Sequence, residues 1–194
     1  TVDFGDDSFC PRRLWRVLRA ARACALPMGC ATAPDPQLRE VGLCGSHAYS
    51  ILDVVTARLR PGAAAAVGAG AHAASVEGVE AVESVELVRV RNPDGVGEWT
   101  GDWSDRSARW SELLAEGEPG GERAGGGARL ARSGVNDGTF WIDYTHFLMA
   151  FSCVDVSLAF RGWAARSFNC AFPAPKAAWR VGAPLVRFRA PRAS

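Results

Sequence analysis

The amino-acid sequence predicts an α+β fold, built round an antiparallel β-sheet with flanking helices. Residues 48–55 and 85–91 are two apolar runs rich in the β-branched residues that favour strands. An alanine- and glycine-rich segment separates them, and a long insertion of this kind adds little to the entropic cost of pairing two strands. Residues 11–28 instead carry apolar side chains at helical spacing. The sequence therefore predicts paired strands with a helix packed against them.

Local signals predict the other elements. Pro11 suits the first turn of the helix, and Gly29 is typical of the residue that ends one. A short buried strand is predicted at residues 29–33, directly after that glycine. Asn-Asp-Gly at 136–138 is a turn signal. It is followed by a predicted strand at 139–143, a helix at 144–151 and a last strand through 154–158.

Composition divides the chain into a main domain and a tail. Residues 1–160 contain the predicted elements, with low-complexity inserts at about 60–80 and 116–130. These inserts hold too few large apolar residues to fold by themselves, and we expect them to be mobile. Residues 161–194 lose the pattern and are predicted to begin a following module or to form a tail. The chain starts without methionine, which predicts that it is part of a longer protein.

Charge and hydropathy exclude several classes of protein. The 194 residues are 48% hydrophobic and 22% charged, as in ordinary globular domains. A net charge of +1 gives no electrostatic reason to expect a nucleic-acid partner. The sequence contains no apolar run of about 18 residues, so no membrane span is predicted. Without a signal peptide, and with six cysteines that form no CxxC pair, the chain is predicted to be intracellular and cytoplasmic with reduced thiols.

The two central strands are predicted to bring His47 and Asn92 together. If Val55 faces Ser84 in an antiparallel pair, counting back places His47 opposite Asn92 without any bulge. Side chains that face each other in this way have Cβ atoms about 4.5–5.5 Å apart. An asparagine amide at this distance can hydrogen-bond to an imidazole.

A histidine paired with an asparagine suits the chemistry of a thiol protease. The imidazole keeps a cysteine as thiolate and later protonates the leaving amine, while the asparagine fixes the ring's orientation and tautomer. This is the cysteine–histidine–asparagine variant of the catalytic triad. A histidine beside a strand is, on its own, more often structural, so the neighbouring residues decide between these readings.

Several segments around this pair resemble the second catalytic subdomain of calpains. They are MGC at 28–30, GSHAYS at 45–50, VRVRNPDG at 88–95, EWTGDWSD at 98–105 and DGTFW at 137–141. They occur in the family's order and cover roughly residues 12–158, with most similarity to the small-optic-lobes-type branch. The resemblance implies a papain-like, calpain catalytic half of a calcium-dependent cysteine endopeptidase. His47 would be its base and Asn92 its orienting residue, with a polypeptide as substrate and the nucleophilic cysteine on a missing upstream subdomain.

The resemblance also implies a calcium site in the acidic loop, residues 94–110, which follows Asn92. Glu98, Asp105 and Asp137 stand at the family's carboxylate ligand positions, and Val135 at the position of a main-chain carbonyl ligand. Oxygen ligands on irregular loops suit Ca²⁺, which accepts six to eight of them in flexible geometry. The alternative is that these carboxylates only cap turns and remain solvated.

Three departures from the family pattern leave other functions open. Asp94 replaces the usual tryptophan after Asn-Pro, which removes an apolar cover and adds a carboxylate that would compete for the imidazole proton. Thr139 replaces a glutamate ligand, and none of the six cysteines has the sequence context of the family's nucleophile. The alternatives are a catalytically inactive calpain-like regulatory module or a calcium-responsive interaction domain.

Overall fold

The computed structural model describes residues 1–60, 63, 71–74, 82–114, 130 and 134–157. The predicted following module at 161–194 lies outside these residues, as does the predicted insert at about 116–130 apart from Leu130. Within the described parts of the chain, no helix is long and apolar enough to cross a membrane.

A seven-stranded antiparallel sheet forms the centre of the fold. Its strands are β1 (Val2–Asp3), β2 (Met28–Ala31), β3 (Ala48–Arg58), β4 (Ala71–Ala74), β5 (Val82–Arg91), β6 (Thr139–Asp143) and β7 (Cys153–Val156). The strand order is β1-β7-β2-β3-β5-β4, and β6 pairs with the second half of β5. The described residues also form two α-helices, α1 (Pro11–Ala23) and α2 (Tyr144–Ala150), and short 3₁₀ helices at Pro36–Val41 and Ala108–Glu112. The predicted α+β fold with an antiparallel sheet is confirmed.

Helix α1 packs on the sheet through its apolar face. Its buried side chains are those at helical spacing in the sequence, among them Leu14, Leu18 and Ala21. Arg22 fixes the helix to β3, since its Nε donates a hydrogen bond to Asp53 Oδ1 at 2.5 Å. The helix ends at Ala23, not at Met28 as predicted. Ala25 adopts a left-handed φ of 52°, and the Leu26 N–H closes the helix on the Ala21 carbonyl at 2.9 Å.

The predicted register of β3 against β5 is wrong, although the two strands do pair. Val55 lies opposite Leu87, whereas Ser84 faces Arg58 at the far end of β3. The strand continues to Arg58, beyond the end of the predicted run, so the pairing extends further toward the insertion. A bulge between Ile51 and Asp53 then changes the offset by adding one residue to β3.

The predicted insert at about 60–80 contains a strand that the sequence did not indicate. Strand β4, Ala71–Ala74, pairs with the first part of β5, where Ala71 lies opposite Val85. The second part of β5 pairs with β6 on the same side, and Leu87 lies opposite Asp143 there. Strand β5 therefore exchanges one neighbour for another along its length. Backbone pairing, which needs no large apolar side chain, allows an alanine-rich segment to join the sheet.

Two apolar clusters support the part of the sheet that carries the candidate site. The larger one lies between the helices and the sheet and includes Leu43, Tyr49 and Phe140. The smaller one surrounds Trp103 and Trp141, both of which are fully buried. Trp99 and Trp110 pack on these clusters as well. The four tryptophans of this region therefore pack against the apolar clusters of the domain, which is usual for large aromatic side chains.

Candidate active site

His47 lies in the turn that leads into β3, and Thr32 holds this turn in place. The Thr32 hydroxyl accepts the His47 backbone N–H at 3.1 Å and donates to the Cys44 carbonyl at 2.7 Å. The Thr32 N–H also donates to the His47 carbonyl at 3.0 Å. Thr32 is buried, so it acts as a fixed bridge between the end of β2 and the histidine. No local sequence pattern marks this threonine as part of the site.

Asn92 follows the last residue of β5 and is 1% exposed. Its backbone N–H donates to the Gly138 carbonyl at 2.7 Å. Its side-chain Oδ1 accepts the Asp94 N–H at 3.0 Å, and its Nδ2 donates to the Val96 carbonyl at 2.7 Å. A backbone N–H can only donate and a carbonyl can only accept, so these two bonds determine which amide atom is oxygen.

The structure brings His47 and Asn92 into direct contact, with 2.9 Å between His47 Nε2 and Asn92 Oδ1. Because Oδ1 is an acceptor only, Nε2 must carry the hydrogen and donate it. In the neutral imidazole the other nitrogen, Nδ1, then keeps its lone pair. The pair thus forms although the predicted register is wrong. His47 lies just before β3, and its ring extends to Asn92, the residue after the end of β5.

Tyr49 packs against the imidazole ring of His47. The two rings meet edge to face, with centroids 4.9 Å apart and planes at 87°. The Tyr49 hydroxyl accepts the Cys44 N–H at 2.8 Å. Burial raises the pKa of Tyr49 to about 12, so the phenol stays neutral and takes no part in proton transfer near neutral pH. This tyrosine therefore orients the histidine without adding charge.

Asp94 places its carboxylate beside the same imidazole. Its Oδ2 lies 3.6 Å from His47 Nε2, and the side chains of Asp94 and His47 are 64% and 23% exposed. The distance is too long for a hydrogen bond, so the interaction is electrostatic. The structure places the carboxylate near the imidazole as the sequence predicts.

No described cysteine provides a nucleophile for His47. Residues 10, 24, 30, 44 and 153 are free cysteines in the described ranges, and none of them hydrogen-bonds to the imidazole. Burial, together with the nearby Cys153, raises the pKa of the Cys30 thiol well above its usual range. A buried thiol that stays protonated is a poor nucleophile. Within the described residues, the candidate site thus consists of the hydrogen-bonded pair His47 and Asn92.

The acidic loop forms a second feature, a cleft of about 370 Å³. Glu98, Asp105 and Val135 all line it. Glu98 Oε1 accepts the Gly138 N–H at 2.9 Å, and Asp105 Oδ2 accepts the Gly134 N–H at 2.8 Å. Burial raises the pKa of Glu98, and the neighbouring carboxylates of Asp105 and Asp137 add to this effect. A cation in the cleft would relieve this repulsion.

Asp137 does not line the cleft, and its Oδ1 accepts the Thr139 N–H at 2.8 Å. Among the described residues, no group of three acidic, histidine or cysteine side chains could hold a metal ion. The structure therefore brings together two of the three predicted carboxylates and the predicted Val135 position. All three carboxylates also accept backbone hydrogen bonds, as the turn-capping alternative requires. The donor set suits calcium in its chemistry, but it is incomplete.

A second histidine–carboxylate pair occurs on α2. His146 Nδ1 lies 2.5 Å from Asp143 Oδ2, while Asp143 Oδ1 accepts the His146 N–H at 3.0 Å. Asp143 is thus the cap of the helix, and His146 packs beside Trp99 with ring centroids 5.4 Å apart. This pair therefore has a structural explanation, the capping of α2.

Comparison with known proteins identifies the class of domain. A family model described as calpain family cysteine protease matches residues 3–158. Human Calpain-14 is 33% identical over 146 residues, which cover 72% of this chain and 16% of that protein. Calpain-A of Drosophila melanogaster is 31% identical over 156 residues, covering 75% of this chain and 15% of the relative. Human Calpain-9 is 35% identical over 151 residues, covering 75% of this chain and 18% of the relative.

The family model spans almost every strand and helix that the structure describes, so this domain is of the cysteine protease class. The chain belongs to the calpain family. It is similar to only 15 to 18% of the length of the three relatives named above. The small-optic-lobes-type branch stays a prediction.

Proposed function

We propose that this chain supplies the histidine–asparagine half of a calpain-type cysteine endopeptidase that is calcium-dependent and cytoplasmic. The observation that carries the proposal is the 2.9 Å hydrogen bond from His47 Nε2 to Asn92 Oδ1. This bond leaves Nδ1 as the nitrogen that can face a nucleophile. The nucleophilic cysteine would come from an upstream subdomain of the same full-length protein. This chain alone is expected to cleave nothing.

In the completed site, His47 Nδ1 takes the proton of the partner cysteine, and the resulting thiolate attacks the carbonyl carbon of a polypeptide substrate. The imidazolium is held by Asn92, whose amide oxygen accepts the Nε2–H throughout. As the C–N bond breaks, Nδ1 returns its proton to the leaving amine and an acyl-enzyme remains. The histidine then removes a proton from water, which hydrolyses the thioester.

The test is to join this chain to its natural upstream region and to measure cleavage of an unstructured polypeptide over a range of Ca²⁺ concentrations. Cleavage is expected to require both Ca²⁺ and the upstream cysteine. The chain by itself, at equal concentration, is the negative control. A completed protein that stays inert at every Ca²⁺ level would contradict the proposal.

Calcium is proposed to bind at Glu98 and Asp105, with weak affinity because Thr139 supplies no carboxylate. We expect calorimetry to detect Ca²⁺ binding, and Glu98→Gln to weaken it at least about tenfold by removing one charged ligand. The neutral amide can still accept the Gly138 N–H, so the loop should keep its conformation. Because the pKa of Glu98 is raised, protons displace Ca²⁺ at a higher pH than at an ordinary glutamate.

Asp7→Asn serves as the matched control for calcium binding, since Asp7 is exposed and does not line the cleft. It should bind Ca²⁺ as the parent chain does. The absence of any heat from the parent chain would exclude both the calcium site and a calcium-responsive interaction domain.

A catalytically inactive calpain-like regulatory module is the second candidate. The exposed Asp94 carboxylate beside His47 favours it, because the imidazole is not shielded from water on this side. The residue at the nucleophile position of the upstream region distinguishes the two candidates. A cysteine there favours the protease, whereas a serine or lysine favours the inactive module.

A further inference from the structure

Two acceptor oxygens converge on one nitrogen of His47. Asn92 Oδ1 lies 2.9 Å from Nε2, and Asp94 Oδ2 lies 3.6 Å from it. An amide oxygen and an ionised carboxylate both attract a hydrogen on this nitrogen and repel a lone pair there. The two groups therefore act in the same direction on the imidazole.

The backbone fixes the position of Asp94 relative to Asn92. The Asp94 N–H donates to Asn92 Oδ1 at 3.0 Å, and the Gly95 N–H donates to the Asn92 carbonyl at 3.0 Å. The same turn is joined to β6 through the bond from the Asn92 N–H to the Gly138 carbonyl. Asp94 is thus part of the turn that contains Asn92. Backbone hydrogen bonds fix this turn, and they keep the carboxylate near the imidazole ring.

We propose that Asp94 is a positioning residue that acts with Asn92 to keep the His47 proton on Nε2. In the alternative tautomer, with hydrogen on Nδ1, the Nε2 lone pair would face both oxygens, which is unfavourable. The carboxylate therefore raises the fraction of imidazole whose Nδ1 can accept a proton from the nucleophile. This inference rests on the proposed role of His47 as the base.

The solvent exposure of Asp94 determines how strongly its carboxylate can change the tautomer ratio of His47. Asp94 is 64% exposed, so water and salt screen its charge, and its attraction for the Nε2–H of the neutral imidazole is no stronger than an exposed ion pair. Such a pair changes an equilibrium by about threefold. Tyr49, which packs against the same ring, is neutral and does not alter this balance. Among the described residues, Asp94 is the charged side chain whose carboxylate lies within 4 Å of the His47 imidazole.

Long-range ¹H–¹⁵N NMR of the 194-residue chain in alkaline buffer tests the inference directly. The ratio of Nε2–H to Nδ1–H tautomer of His47 is measured in the parent chain and in Asp94→Asn. This substitution retains the backbone N–H that bonds to Asn92 and nearly the same side-chain volume. We expect the ratio to fall about threefold in the variant and to recover in Asp94→Glu. High salt should lower the ratio in the parent chain and have little effect in Asp94→Asn.

Asp7→Asn makes the same chemical change at an exposed position without contact to His47, and it should leave the ratio unchanged. The inference is overturned if Asp94→Asn has the parent ratio and the parent response to salt. This outcome does not depend on whether the completed protein is a protease. If the ratio shifts but the completed protein never cleaves a substrate, the role of Asp94 stands and the proposed function fails.

Discussion

Replacing His47 with alanine is expected to lower kcat/KM of the completed protease by about four orders of magnitude. In the proposed mechanism the imidazole performs two proton transfers, from the thiol and to the leaving amine, and no other described side chain bonds to Asn92 in a way that could replace it. The neutral thiol that remains is a far weaker nucleophile than the thiolate. Cleavage of a labelled polypeptide at saturating Ca²⁺ measures the loss.

His146→Ala is the matched control for this prediction. His146 is also a histidine hydrogen-bonded to a polar side chain, but its partner is Asp143, the residue that caps α2. Its removal should leave kcat/KM within about twofold, because the imidazole makes no contact with the proposed triad. An equal loss in both variants would show that the His47 effect arises from damage to the fold and would remove the support for its role as the base.

Replacing Gly42 with alanine is expected to lower the free energy of unfolding by about 3 kcal/mol or more. Gly42 ends the first 3₁₀ helix with a left-handed φ of 82°. A Cβ at this position would lie 2.0 Å from the Glu98 carbonyl oxygen, which is part of the backbone and cannot move aside easily. The loop before His47 and the acidic loop must therefore separate. Chemical denaturation of the 194-residue chain measures the change.

Gly95→Ala separates the two causes of this destabilisation. Gly95 has a similar left-handed φ of 73°, but no atom lies within 4 Å of where its Cβ would be. Its cost should therefore be the backbone strain alone, about 1–2 kcal/mol. If Gly42→Ala were no more destabilising than Gly95→Ala, the close approach of the two loops would not exist in solution.

Local patterns in the sequence predict most of the elements, and tertiary contacts explain where they fail. Strand β6 begins and ends at the predicted residues because Asn-Asp-Gly determines its start locally. The bulge in β3 has no local signal. It brings the Asp53 carboxylate to Arg22 on α1, a contact between residues distant in the sequence. The end of α1 escaped prediction because an alanine occupies a left-handed position where glycine is usual.

In the candidate site, too, local patterns predict some features, and the others depend on tertiary contacts. Residue type and strand pairing predict its two central residues, His47 and Asn92. The pair forms although the predicted register is wrong. The supporting bonds were not found. Thr32 bonds to the turn before β3 from a separate strand, and the Val96 carbonyl holds the asparagine amide from a loop. Such contacts depend on how loops fold back, and neither composition nor periodicity encodes this.

One residue, Gly138, connects the candidate catalytic pair to the acidic cleft through its two backbone polar groups. The Gly138 carbonyl accepts the Asn92 N–H at 2.7 Å, and the Gly138 N–H donates to the Glu98 carboxylate at 2.9 Å. If a cation at Glu98 stabilises the His47–Asn92 arrangement, thermodynamic reciprocity requires that arrangement to raise cation affinity by the same factor. An inhibitor that stabilises the arrangement would then make the cleft retain its cation more tightly. Cation affinity would in this way report on what the candidate site binds.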